Sequence, residues 1–144
     1  MKKPLLMCFL FLTLILGACG GGSLEGETVS ITGALIGEDQ NGFRENIKAI
    51  EEATGIIVTY QGSDNFEQEI QIQMESGDTP DFALFPQPGG VVDAANRGYL
   101  TPLADLDIDL EEYQNNFSSY LVGLGTVDGV IYGGANAANL KSIV

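Results

Sequence analysis

The 144-residue sequence contains no histidine and few basic residues. Without histidine, the chain cannot build a Ser-His-Asp or Cys-His catalytic group from its own side chains, and it lacks the commonest zinc ligand. Its 6 Lys and Arg residues stand against 20 Asp and Glu residues, which gives a formal net charge of -14. Because a surface that binds nucleic acid needs clustered basic side chains, this composition excludes a nucleic-acid partner.

Cysteine is also scarce, and both cysteines lie near the N-terminus. Two lysines precede an apolar run from Leu5 to Leu16, whose length of about twelve residues fits a signal-peptide core and falls short of a membrane span. Cys8 lies inside this run, so the two cysteines form no disulfide framework in a processed chain. We therefore predict that residues 1–18 are a signal peptide.

Cys19 ends the sequence Leu-Gly-Ala-Cys, and a Gly/Ser-rich stretch follows it. This arrangement resembles a bacterial lipoprotein signal, in which the cysteine becomes the new N-terminus and carries the lipid. It implies export, lipid attachment at Cys19, and a membrane anchor on the periplasmic or extracellular face, with residues 19–27 as a flexible tether. The alternative is an ordinary secretory signal with a chance cysteine.

From residue 28 onward, strand patterns alternate with helix patterns. The predicted strands are 28–36, 56–60 and 81–85, the middle one being apolar enough for a buried strand, and the predicted helices are 43–54, 66–76 and 91–97. A loop is predicted at 37–42, and Asp64 with Glu67 resembles a capping box. Phe66, Ile70 and Met74 recur every four residues and predict an apolar stripe along the second helix. Because helices separate short apolar strands, we predict an α/β fold with a mostly parallel sheet flanked by helices on both faces.

The remaining sequence has a different pattern. Residues 110–121 predict one helix with Tyr113, Phe117 and Tyr120 on one side, and from this spacing Phe117 and Tyr120 are expected to belong to the core. Asp128-Gly129 predicts a hairpin. The alternating acidic stretch 105–109 begins like a calcium-binding loop. Leu110 and Asn116 occupy the positions where such a loop needs Gly and Glu, so no metal site is predicted.

Five strings occur in a fixed order behind the predicted signal. They are Gly-Phe-Arg-Glu-Asn-Ile-Lys-Ala-Ile-Glu-Glu-Ala-Thr-Gly, Ser-Gly-Asp-Thr-Pro-Asp, Ala-Leu-Phe-Pro-Gln-Pro-Gly, Arg-Gly-Tyr-Leu-Thr-Pro-Leu and Asp-Gly-Val-Ile-Tyr-Gly. Together they resemble the family-1 extracellular solute-binding proteins of bacterial ABC importers. The Phe-Pro-Gln-Pro-Gly string is most similar to the sugar-binding, α-glucoside-type branch.

The resemblance implies a periplasmic-binding-protein-like lobe and a non-enzymatic function. Such a protein captures a carbohydrate between two lobes and delivers it to ABC permease subunits, with no cofactor. Family members are much longer, so residues 28–144 are expected to form an incomplete first lobe whose second lobe is missing. Gly134-Ala135 departs from the aliphatic residue and proline that the family usually has there.

Ligands of open α/β sheets bind at the carboxyl ends of the strands. The resemblance places the ligand contacts in the segments that follow them and near the end of the chain, at Glu38, Asp39, Ser63, Asp64, Pro86, Gln87 and Asn136. Structural alternatives are an N-cap for Asp64, solvated turns for Glu38, Asp39 and Asn136, and loop stiffening by the prolines. Tryptophan is absent, so aromatic stacking residues are expected in the second lobe.

Two other functions compete with solute binding. Twenty acidic residues would allow an exported carbohydrate-active enzyme that uses two carboxylates, although no pair stands out. A lipoprotein with a structural or signalling role, presenting a single α/β lobe, is the other alternative.

Overall fold

The computed structural model describes residues 24–136 and has an α/β fold. Its first half contains β1 (Thr28–Gly33), α1 (Gly37–Thr54), β2 (Ile57–Gly62), α2 (Phe66–Ser76), β3 (Phe82–Leu84) and α3 (Pro88–Asn96). Its second half contains a 3-10 turn (Leu103–Asp105), α4 (Leu110–Asn116), α5 (Ser119–Leu124), β4 (Thr126–Val127) and β5 (Val130–Ile131). The predicted alternation of strand and helix is confirmed. The predicted signal peptide, Cys19 and residues 137–144 lie outside the described residues.

The main sheet is parallel, with β1 between β2 and β3. Ile31 pairs with Tyr60 on one side and with Phe82 on the other. β4 and β5 form a separate antiparallel hairpin, in which Asp128 and Gly129 both have positive φ angles of 50° and 82°. This is the two-residue turn that an Asp-Gly pair favours, and the hairpin prediction is confirmed.

Helices cover both faces of the sheet, as predicted. Side chains of neighbouring parallel strands that are in register point to the same face, and successive residues point to opposite faces. Tyr60 therefore faces one layer, where its ring contacts Phe43 of α1. Ala83 faces the other layer, where it packs against the core that α2 contributes to.

The largest apolar cluster lies between α2, α3 and β3. Phe66, Ile70 and Met74 recur every four residues along α2 and are all buried, which confirms the predicted apolar stripe. The Phe66 ring meets Phe85 edge to face, with 5.4 Å between centroids. Ala94 of α3 completes the cluster. A single core therefore holds α2, β3 and α3 together.

The loop predicted at 37–42 is wrong, because α1 begins at Gly37 rather than at Phe43. The glycines at 37 and 42 suggested a turn, but nothing lies within 4 Å of a Cβ placed at Gly42, so this residue sits on an open side of the helix. Glu38 and Asp39 in the first turn interact favourably with the positive end of the helix dipole.

The interpretation of residues 56–60 as a fully buried strand is also wrong. β2 is an edge strand of the described sheet, and its side chains alternate between exposed and buried. Ile57 is 52% exposed, whereas Tyr60 is 6% exposed. At β2, the face of the sheet that carries Tyr60 is therefore covered by α1.

The single helix predicted over 110–121 is divided into α4 and α5. Phe117 adopts an extended conformation between them, and the Ser118 side chain caps α5 by accepting a hydrogen bond from Leu121 N–H. Phe117 and Tyr120 are 37% and 72% exposed, so the expectation that they belong to the core is wrong. Across the break, the Tyr113 and Phe117 rings stay in contact, with 4.9 Å between centroids. Among the described residues, no helix combines the length and apolar character needed to cross a membrane.

Candidate functional site

The three strands of the main sheet end at the same level. Gly33 at the end of β1 pairs with Gly62 at the end of β2 and with Leu84 at the end of β3. The segments that follow the strands therefore lie along one edge of the sheet. We call this edge the carboxyl rim and define it as residues 34–39, 63–65 and 85–87.

Five of the seven predicted ligand contacts are exposed on the carboxyl rim: Glu38, Asp39, Asp64, Pro86 and Gln87. Glu38 and Asp39 stand on the first turn of α1, and Gln87 directly precedes α3. Within residues 24–136, the carboxylates of Glu38, Asp39 and Asp64 and the Gln87 amide have no hydrogen-bond partner. These polar groups are free to bind a molecule at the rim.

Ser63 differs from these residues because its hydroxyl is already engaged. It donates a hydrogen bond to Glu69 Oε1 at 2.9 Å and accepts one from the Asn65 backbone N–H at 3.1 Å. Its own backbone N–H donates to the Gly33 carbonyl at 3.0 Å. Ser63 thus fixes the path of the chain between β2 and α2.

The N-cap alternative for Asp64 is wrong. The N-cap residue of α2 is Asn65, whose own side chain forms no capping hydrogen bond. Because Asp64 precedes this position, the helix does not use its carboxylate, and the residue is exposed on the rim. The spacing of Asp64 and Glu67 matched a capping box in sequence, but the register of the helix start is shifted by one residue.

The helix N-termini of the carboxyl rim share one property. Ile36, Asn65 and Gln87, the N-cap residues of α1, α2 and α3, make no side-chain capping hydrogen bond. The first backbone N–H groups of a helix have no partner within the helix itself. In α2, the Phe66 and Gln68 N–H groups already donate to the Ser63 and Asn65 carbonyls. In α3, Pro88 has no N–H and the Gly90 N–H donates to the Gln87 carbonyl. The rim therefore offers the first-turn N–H groups of α1 and those of Glu67 and Gly89 as donors, beside its carboxylate acceptors.

The basic side chains of the described residues lie away from the carboxyl rim. Lys48 pairs with Glu45 at 2.7 Å, and Arg97 pairs with Glu75 at 3.0 Å. Arg44 donates to the Tyr60 carbonyl at 3.0 Å. A rim with acidic side chains, amides and N–H donors favours a neutral ligand that carries hydroxyl groups, and it disfavours an anion.

A side chain that the sequence analysis did not single out, Tyr60, supports the rim. Its hydroxyl donates to the Leu35 carbonyl and accepts from the Leu35 N–H, both at 3.0 Å. Burial raises the pKa of this phenol above its ordinary value. In the sequence, the visible pattern is a tyrosine in an apolar strand, with one glycine at the end of that strand and another at the end of the neighbouring strand. This pattern is too common to identify such a contact.

Asn136 lies elsewhere along the sheet. It is exposed and lines an open groove of about 520 Å³ beside β3, together with Phe85 and Tyr132. None of the other six predicted contacts lines this groove. The structure thus places six of the predicted contacts on the rim and Asn136 in the groove beside β3. In residues 24–136, no group of three or more potential metal-ligating side chains occurs.

The sequence and the fold were compared with known proteins. Residues 33–141 match the family model described as bacterial extracellular solute-binding protein. The osmoprotective compounds-binding protein GgtB of Synechocystis sp. is 37% identical over 135 residues, which cover 91% of this chain and 32% of that protein. The alpha-glucosides-binding periplasmic protein AglE of Rhizobium meliloti is 38% identical over 119 residues, covering 83% and 25%.

Solved structures show the same fold at lower identity. CpMnBP1 with mannotriose bound has a TM-score of 0.65 at 17% identity, and 74% of this chain matches 27% of that one. The maltotriose binding protein of Thermus thermophilus has a TM-score of 0.59 at 17% identity, covering 73% and 28%. The chain therefore spans about a third or less of the length of these proteins.

Proposed function

Because this chain belongs to the bacterial extracellular solute-binding protein family, we propose that it captures a carbohydrate outside the cytoplasm and delivers it to an ABC permease. The relatives are named for osmoprotective compounds and for alpha-glucosides, and the similar structures hold mannotriose and maltotriose. An α-glucoside is the ligand class that these names support best.

The carboxyl rim is the observation that carries this proposal. Glu38, Asp39 and Asp64 accept hydrogen bonds from ligand hydroxyls. The first-turn N–H groups of α1, together with those of Glu67 and Gly89 in α2 and α3, donate to ligand oxygens. Gln87 does both through its amide. Neutral sugars present donors and acceptors on the same carbon framework, so they match this mixture without requiring a charged partner.

In this proposal the rim is one wall of a cleft. Pro86 limits the conformations of the segment before α3, and Ser63 contributes its hydroxyl once it exchanges its bond to Glu69. Asn136 approaches the ligand from the other side of β3. Capture needs no covalent step, because affinity comes from hydrogen bonds and from excluding water when the cleft closes.

A direct test uses the full-length protein from residue 19 onward. Isothermal titration calorimetry against maltose, trehalose, maltotriose and mannotriose measures binding, and glutamate and phosphate serve as anionic controls. We expect saturable binding of at least one sugar and no heat with the anions. Binding of an anion with no response to any sugar would contradict the proposal.

We also propose that residues 1–18 are removed and that Cys19 carries a lipid anchor at the outer face of the membrane. The composition of residues 1–23 supports this, since an apolar run precedes Leu-Gly-Ala-Cys and a Gly/Ser stretch. Growth with an alkyne-labelled fatty acid should label the wild type and the Cys8→Ser variant. The Cys19→Ser variant should remain unlabelled, and equal labelling of both variants would contradict the assignment of Cys19.

A further inference from the structure

Tyr60 makes a contact that links β2 to the rim segment 34–39. It stands on β2, and its hydroxyl reaches across the end of β1 to Leu35, which lies between β1 and α1. One oxygen atom bonds both the N–H and the carbonyl of Leu35, at 3.0 Å each. The segment 34–36 is thereby attached to the neighbouring strand by a side chain.

Two glycines make room for this contact. A Cβ at Gly33 would come within 2.8 Å of both the Tyr60 hydroxyl and Leu84 Cβ. A Cβ at Gly62 would overlap the Leu35 carbonyl oxygen and come within 2.8 Å of Gln40 Oε1. The close approach of Tyr60 to Leu35 is possible because both strands end in a residue without a side chain.

The environment of Tyr60 holds its ring in one orientation. The side chain is buried, and the Phe43 ring of α1 packs against it with 4.9 Å between centroids. Arg44 donates to the Tyr60 carbonyl at 3.0 Å, so both the backbone and the ring are fixed by α1. A phenol that stays neutral can donate and accept at once, as the two bonds to Leu35 require.

We propose that Tyr60 is a positioning residue for ligand capture. Through Leu35 it holds the uncapped first turn of α1, which carries Glu38 and Asp39, at its place on the carboxyl rim. Only Ile36 separates Leu35 from the first residue of this helix. The inference rests on the proposed function, since positioning affects affinity only if the first turn of α1 contacts the ligand.

The test compares the Tyr60→Phe and Tyr113→Phe variants of the full-length protein. Each change removes one hydroxyl and keeps the ring, and within the described residues the buried Tyr113 hydroxyl has no hydrogen-bond partner. The probe is maltose, trehalose, maltotriose or mannotriose, whichever binds the wild type most tightly. We expect Tyr60→Phe to weaken binding about tenfold, as the loss of two modest hydrogen bonds allows, and Tyr113→Phe to bind like the wild type.

Hydrogen exchange separates positioning from a general loss of structure. In Tyr60→Phe, the Leu35 amide and the first-turn amides of α1 should exchange faster. The Ser63 amide, which bonds the Gly33 carbonyl within the same sheet edge, should keep its wild-type rate. Faster exchange at Ser63 as well would indicate a destabilised sheet and would overturn the positioning role.

The affinities distinguish this inference from the proposed function. If the wild type binds a probe sugar and Tyr60→Phe binds it equally well, the inference is wrong and the proposed function stands. If the wild type binds none of the four sugars, the proposed function fails and the inference fails with it.

Discussion

The helix N-termini on the carboxyl rim differ from those in the second half of the molecule. Asp109 caps α4 by accepting a hydrogen bond from Glu112 N–H at 2.9 Å, and Ser118 caps α5 in the same way at 3.4 Å. No side chain caps α1, α2 or α3. A capping side chain stabilises the helix end by accepting a hydrogen bond from a first-turn N–H group. At an end without a cap, no side chain occupies these N–H groups, so those that also lack a backbone partner can bind a ligand.

The comparison requires that the rim helices obtain their stability from packing instead of caps. The sharpest check is Phe66→Ala, which leaves a cavity between α2 and Phe85. We expect the free energy of unfolding to fall by about 3–5 kcal/mol. Ile72→Ala on the exposed side of the same helix should change it by about 0.5 kcal/mol or less. Chemical denaturation measures both, and equal losses would contradict the packing account.

A second way to break the comparison is to deform the rim without removing a polar group. Gly62→Ala places a Cβ against the Leu35 carbonyl, so we expect a loss of about 1–3 kcal/mol in the free energy of unfolding. The matched change Gly42→Ala lies in open space inside α1 and should stabilise the protein by about 0.5–1 kcal/mol. Thermal unfolding of the two variants would refute the crowded geometry if Gly62→Ala were neutral.

The most specific comparison removes an aspartate that caps a helix and, separately, an aspartate that caps none. Asp109→Ala should lower the free energy of unfolding by about 1 kcal/mol because α4 loses its cap. Asp64→Ala should leave stability within about 0.5 kcal/mol, since no helix uses its carboxylate, and should weaken sugar binding. Denaturation and calorimetry on the same samples give both values, and a cost in stability for Asp64→Ala without a change in affinity would reverse the assignment.

The smallest effect concerns the opposite end of β3. The Ser30 backbone N–H and hydroxyl both donate to Asp81 Oδ2, at 2.8 and 2.7 Å, and hold the pKa of this carboxyl below its ordinary value of 3.8. The folded protein thus binds this proton less readily than the unfolded chain. The resulting stability is present above pH 3.8 and is lost as the pH falls through the lower folded pKa.

Acid unfolding curves check this statement. Asp81→Asn should remove part of the loss of stability that the wild type shows below pH 3.8, and Ser30→Ala should reduce it by removing one donor. An unchanged curve in both variants would mean that the Ser30–Asp81 contact contributes nothing to the pairing of β1 with β3.

The sequence predictions are correct where a feature depends on residues that are close together in the chain. The period of Phe66, Ile70 and Met74 and the turn chemistry of Asp128-Gly129 depend on neighbours in the chain, and both predictions are confirmed. The order of strands and helices likewise sufficed to predict a parallel sheet. Because the strands of a parallel sheet run in the same direction, that prediction already placed the ends of all three strands at one edge of the sheet.

The errors arise where distant residues decide. Gly42 suggested a loop, although the open side of α1 tolerates it. Phe117 and Tyr120 fitted a helical stripe, but the Ser118 cap begins a new helix between them. The contact of Tyr60 with Leu35 joins two residues that are 25 positions apart in the chain, and no local pattern encodes such a contact. The ligand roles assigned to the rim side chains stay predictions.

The central claim is that the uncapped ends of α1, α2 and α3 bind the ligand. Hydrogen exchange of the full-length protein with and without its tightest-binding sugar tests it most directly. The account predicts slower exchange at the first-turn amides of α1 and at the Glu67 and Gly89 amides of α2 and α3, with unchanged exchange at the capped first turns of α4 and α5. Unchanged exchange at the rim, with sugar-dependent protection at α4 and α5 instead, would contradict it.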